Sequence, residues 1–161
     1  MNLQSLAKIV MQRLLGARED VQLAALPSGL PTSIDDNEPL ARFLNSTSKF
    51  ARTNNRVKYS AFVPAKDGMT SVFRHSGKPA DELWMIGIQK LNPDEKIFGA
   101  GIIKASDCRA IGLEVTSSEP PLRHANIEKW PRRDDPDDER SVRNTLALEL
   151  ASQAELLLRS P

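Results

Sequence analysis

Val57-Lys58-Tyr59-Ser60-Ala61-Phe62-Val63-Pro64-Ala65-Lys66-Asp67-Gly68-Met69-Thr70-Ser71-Val72-Phe73-Arg74 is the stretch on which the fold class turns. Val57 to Val63 alternates loosely between apolar and polar residues and predicts a strand that Pro64 ends. Lys66-Asp67-Gly68 has turn chemistry, and Met69 to Arg74 predicts the returning strand. The expected result is an antiparallel hairpin.

Outward from that stretch the chain alternates short elements. Upstream, Leu3, Ala7, Val10, Met11 and Leu14 recur at helical spacing, which predicts an amphipathic helix over 3–15 that Gly16 stops. Ala25 to Pro39 contains three prolines, two serines and a glycine and predicts a loop. Pro39 to Leu44 is expected to form one helical turn capped by Asp36 or Asn37. Asn45 to Asn55, rich in Ser, Thr and Asn, predicts a loop.

Downstream, Ala80 to Leu91 predicts a helix with Asp81 and Glu82 at its positive end. Ile97 to Lys104 predicts a buried strand, Ser106-Asp107 the cap of a short helix ending at Gly112, and Leu113 to Thr116 a further strand. Pro120-Pro121 is expected to open an irregular stretch through His124, Trp130 and Pro131. Asp135 and Pro136 are placed to start a last helix running from about Asp137 to Leu158. Its apolar stripe is Val142, Leu146, Leu150, Ala154 and Leu157, and Leu148 lies off it.

Strands this close in sequence leave no room for regular crossovers. The expected class is α+β: a small mixed or antiparallel sheet with a hairpin, flanked by an N-terminal helix and a long C-terminal helix. The expected organisation is a helical extension and linker over 1–38 and a single α+β domain over 39–161.

Composition bounds the chemistry. At 161 residues, 40% hydrophobic and 27% charged, the chain has an ordinary globular mixture and enough residues for a core. Cys108 is the only cysteine and His75 and His124 the only histidines, so neither an internal disulfide nor a Cys- or His-rich metal site is expected. Cys108 lies near a helix start beside Asp107 and Arg109, and a packed small residue is the expected role. The acidic run Asp134 to Glu139 lacks the glycine and alternating spacing of a calcium loop, and is expected to sit on a helix N-terminus. No cofactor or metal is called for. The residues 1–16 lack the continuous apolar core of a signal peptide, and no run approaches the roughly 20 apolar residues of a membrane span. A cytoplasmic protein without membrane association is expected. The familiar glycine-rich nucleotide motifs and the GxSxG and HExxH motifs are absent.

Net charge is +1, but its distribution is uneven. From Arg42 to Lys78, eight cations face Asp67 alone, a net of +7 over 37 residues. Such segregation points to an anionic partner. Arg42, Lys49, Arg52, Arg56, Lys58 and Arg74 are the candidate ligand-binding residues, with Phe50 and Tyr59 as stacking platforms. A solvated face balanced by the acidic runs of the same chain is the competing reading. His124, beside Arg123 and Asn126, is a candidate general acid or base, with Arg74 and His75 assisting.

The chain also resembles an uncharacterised group of bacterial hypothetical proteins from about Leu40 onward. The segments that carry the likeness are Ala41-Arg42-Phe43-Leu44, Arg56-Val57-Lys58, Ala61-Phe62-Val63-Pro64, Ser71-Val72-Phe73-Arg74, Asp81-Glu82-Leu83-Trp84 and His124-Ala125-Asn126-Ile127 with Trp130-Pro131. It implies a bacterial accessory or mobile-element setting, such as toxin–antitoxin or phage defence, and carries over no activity.

Three functions are expected from these features. The first is a domain binding nucleic acid or a nucleotide through segment 42–78. The second is a small metal-independent RNase or toxin-like enzyme using His124. The third is a protein–protein adaptor or immunity-type module, with a protein partner or a second copy held through residues 3–15 or the C-terminal helix.

Overall fold

Short strands of alternating or wholly apolar residues pair antiparallel into one six-stranded sheet. They are β1 (Pro39–Leu44), β4 (Thr70–Arg74), β5 (Gly99–Lys104), β6 (Glu114–Ser117), β7 (His124–Glu128) and β8 (Glu155–Leu158). A small separate ribbon pairs β2 (Phe50–Ala51) with β3 (Arg56–Val57). Ordered by hydrogen bonding, the large sheet runs β6-β7-β4-β1-β5-β8. Among the described residues the helices are α1 (Ala80–Ile88), α2 (Ala105–Ala110) and α3 (Arg140–Gln153). The computed structural model describes residues 26–132 and 140–161, so the expected helix over 3–15, the cap at Asp135 and the acidic run lie outside the described residues. The chain divides into two units, Met1–Thr32 and Ser33–Pro161, and all of these strands and helices belong to the second.

The α+β class holds: helices accompany a mainly antiparallel sheet, and a helix, α3, comes near the C-terminal end. Alternation gives the sheet two faces with different covers. On one face Leu40, Leu44, Val72, Ile103, Ala125, Ile127 and Leu156 pack with Cys108 of α2 and Ala147, Leu150 and Ala151 of α3. Phe50, Val57, Ala61 and Phe62 join this larger core from the ribbon and the turn after it. On the other face Ala41, Phe43, Ala100, Ile102 and Leu157 pack with Leu83 and Trp84 of α1 and with Ile97.

The residues 57–74 do not pair with each other. Only Arg56–Val57 is strand, and Tyr59–Ala61 forms a 3-10 turn. The returning strand is real, but β4 pairs with β1 and β7. The reason is burial: Ala61 and Phe62 are fully buried, and a 3-10 turn drives both into the core beneath β1, where a flat strand would place one of them in solvent. Hairpins do form, between β6 and β7 and between β2 and β3. In the ribbon, Asn55 takes a left-handed conformation with φ of 51° at the turn.

Pro39–Leu44 is the central strand β1 rather than a helical turn. Leu40, Ala41 and Leu44 have no exposed surface, because both faces of a central strand are covered, and such a strand loses the alternation that would betray it. Pro39 is tolerated as its first residue. His124 to Glu128, expected to be irregular, is strand β7; the irregular stretch is split by it into the β6–β7 connection, with Pro120 and Pro121, and residues 129–132, with Trp130 and Pro131. The last helix stops at Gln153, and Glu155–Leu158 crosses to pair with β5.

Candidate functional site

The basic segment splits into fastening residues and displayed residues. Arg42 is half-buried, and its guanidinium donates from Nε to the Ala61 carbonyl at 2.7 Å and from Nη1 to the Ser71 carbonyl at 2.9 Å. Burial holds its pKa below the usual arginine value. It ties the 3-10 turn to β4 and is spent on structure.

Arg74 is 1% exposed. Its Nε and Nη2 donate to the two carboxylate oxygens of Glu38 at 2.5 and 2.9 Å, and Nη1 donates to Ser117 Oγ at 3.2 Å. A bidentate pair of this kind satisfies a buried guanidinium. Arg74 therefore reaches neither an external anion nor His124, which lies on the opposite face of the sheet. Phe50 is buried against Phe98 and offers no stacking surface.

Lys49 is half-buried and donates to Asn45 Oδ1 at 2.7 Å; burial and then the charge of Arg42 lower its pKa. Arg52 is exposed and lies over the Phe50 ring at 5.7 Å. Arg56, Lys58 and Lys66 are exposed, and Tyr59 is 44% exposed.

Arg56, Lys58, Tyr59 and Lys66 line concave surfaces that share lining residues with one another and with α3, whereas Arg52 lines none of them. One of about 480 Å³ includes Arg56, Lys58, Tyr59, Ser60 and Leu148. It shares Tyr59 and Ser60 with a second of about 670 Å³ that adds Arg140, Arg143 and Asn144. Arg143 in turn belongs to a third of about 480 Å³ with Lys66, Asp67, Lys129 and Arg132. Among the described lining residues, seven cations face Asp67 alone. Lys129, Arg132, Arg140 and Arg143 lie outside segment 42–78 and are separated from it in sequence; packing of α3 on the 3-10 turn brings Arg140 and Arg143 alongside, and the pairing of β7 with β4 brings Lys129 and Arg132. Leu148, off the helical stripe, is 57% exposed in the same groove.

His124 sits on the other side of the sheet. Its Nδ1 is 2.9 Å from the Ser118 carbonyl oxygen, which can only accept, so Nδ1 carries the proton. Nε2 is then the acceptor, and the Ser71 hydroxyl donates to it at 2.6 Å. Burial first, and the charge of Lys90 more weakly, hold the His124 pKa below 6.5, against an opposing pull from the Ser118 carbonyl. The ring packs edge-on to Phe73 at 5.4 Å, and Lys90 Nζ lies 5.3 Å from the Phe73 centroid. Alternation along β4 places Ser71, Phe73 and His75 on this one face. His75 Nδ1 is buried with no hydrogen-bond partner, and burial lowers the His75 pKa. No hydrogen bond joins His75 to His124 among the described residues.

Ser71 went unnoticed in the sequence because a serine within an apolar strand has no motif. The one signal was the shared strand parity of Ser71 with Phe73 and His75. Cys108 is buried in the larger core, and desolvation pushes its thiol up to about 12, so it is inert packing. Compared with known proteins, the chain matches no family model, no curated protein and no solved structure.

Proposed function

We propose that the protein binds single-stranded nucleic acid along the groove between the 3-10 turn at Tyr59–Ala61 and α3. The carrying observation is the cationic lining, seven cations to one anion among the described residues, with the half-exposed Tyr59 where two of its hollows meet. Arg132 and Arg143 also engage other groups of the chain, and the reading needs only Arg56, Lys58, Lys66, Lys129 and Arg140. Cations spaced along a groove match a phosphate backbone, and an aromatic face between them gives a base somewhere to stack. A groove that spans three hollows favours a polymer over a lone nucleotide. Arg42 and Arg74, included among the binding residues on charge alone, drop out of this reading because both are consumed by the fold.

Fluorescence anisotropy with end-labelled single-stranded RNA and DNA over a salt series tests the reading. Affinity is expected to fall linearly in logarithm with log salt, and Lys58→Glu with Arg140→Glu to weaken binding to both. Tyr59→Ala is expected to cost about 1–3 kcal/mol of binding. Absence of binding at low salt overturns the proposal.

A further inference from the structure

On the β4–β7–β6 side of the second sheet face the side chains differ in kind from the apolar cluster that packs with Leu83 and Trp84 of α1. Strand parity and register set Ser71, Phe73, His124, Asn126, Thr116 and Glu128 together, with Asn126 directly across from Ser71. Thr116 Oγ1 donates to Glu128 at 3.0 Å. Ser71, His124 and Asn126 are each half-buried.

We infer that Ser71 is a nucleophile activated by His124, and that this face carries out acyl transfer from small carboxylic esters to water. Three features of the geometry carry this. Ser71 Oγ lies 2.6 Å from an imidazole nitrogen whose role as acceptor is set by the Nδ1–Ser118 hydrogen bond. That is the nucleophile, base and orienting group of a hydrolytic site, with a backbone carbonyl in the third position. The Lys90 ammonium, held over Phe73 beside the imidazole, supplies one positive charge for a developing oxyanion. His75 Nδ1, buried without a partner on the same face, is a polar atom that the fold itself leaves unsatisfied.

An ester is favoured over a phosphoryl group because a tetrahedral acyl intermediate develops one negative charge, which one ammonium matches. As the bond from Ser71 Oγ to the carbonyl carbon forms, the hydroxyl proton moves to His124 Nε2. Collapse of the intermediate breaks the bond to the alkoxy oxygen, which leaves with that proton as an alcohol. Water then attacks the acyl-serine, gives a proton to Nε2, and releases the carboxylic acid as Ser71 regains its proton. Burial that keeps His124 neutral keeps Nε2 ready to accept.

The site and the cationic groove lie on opposite faces of the sheet, so either can fail without the other. The test is covalent labelling of the whole protein by a fluorophosphonate, with the modified peptide located by mass spectrometry, alongside p-nitrophenyl acetate hydrolysis. Label on Ser71 is expected, with none on Ser71→Ala. His124→Gln is expected to slow labelling by about 100-fold or more while retaining the circular dichroism of the wild type. Wild-type protein that stays unlabelled at Ser71, or a His124→Gln variant labelled at the wild-type rate, overturns the inference. If His124→Gln does not fold, the position of the label in the wild type and its loss in Ser71→Ala decide the matter alone.

Discussion

Arg74 shows how far one residue's charge can mislead. In the sequence it is one of eight cations in a basic run; in the fold it is a sealed guanidinium matched oxygen for oxygen by Glu38, whose side chain is 9% exposed. Removing one member of such a pair strands the other in the core. Glu38→Ala is therefore expected to destabilise the protein by about 3–5 kcal/mol, read as a shift in the urea midpoint, with Arg74→Ala comparably severe. The histidines make a second prediction at this scale. Both have folded pKa values below the ordinary 6.5, chiefly because burial disfavours the charged form. The unfolded chain then takes up protons first on acidification. The stability held by the neutral rings is present above pH 6.5 and is lost as pH falls through the folded values. Urea midpoints measured from pH 7.5 downward are expected to fall in this window, less steeply in a His75→Gln, His124→Gln double variant.

Elements were legible in proportion to how local their cause is. β4, α1, β5, α2 and β6 lie close to where the sequence places them, because their causes act within a few positions; α2 is capped at Lys104 rather than at Ser106-Asp107, and Asp107, inside its first turn, accepts from the Lys104 amide at 2.8 Å. β1, β7 and β8 were hidden. β1 is buried on both faces and shows no alternation, β7 comes after two prolines, and β8 continues a leucine-rich run with helical spacing. The β8 pairing depends on a close approach at Gly99, where a Cβ would collide with the Leu157 carbonyl oxygen. Backbone cannot yield as a flexible side chain does. Gly99→Ala is accordingly expected to cost about 1–3 kcal/mol by overpacking and to raise amide exchange along Glu155–Leu158, measured by hydrogen exchange.

At the scale of the whole molecule, the sheet separates two surfaces of different chemistry. The larger core and α3 back the cationic groove; the smaller core and α1 leave the Ser71–His124 face alongside. Substitutions on distant surfaces that share no partner add. Lys58→Glu with Arg140→Glu is expected to weaken oligonucleotide binding and leave fluorophosphonate labelling of Ser71 unchanged, and Ser71→Ala to abolish labelling and leave binding unchanged. Coupling between the two readouts would place both activities in one site.

By itself the sequence determined the α+β class, the helices α1 and α2, the strand β4 and the cationic bias of 42–78, since each arises from spacing, capping or charge within a short window. Only the tertiary structure decided which of those cations are displayed. It turned the expected hairpin strand at Val57–Val63 into a 3-10 turn that buries Ala61 and displays Tyr59, tied Arg42 and Arg74 to groups of the fold, and set Arg140 and Lys129 among the cations that line the same hollows as Lys58 and Lys66. It also joined Ser71 to His124 across 53 positions of chain. Strand register and the burial of both sheet faces are long-range properties, and no local pattern encodes a neighbour that arrives from the far end of the sequence.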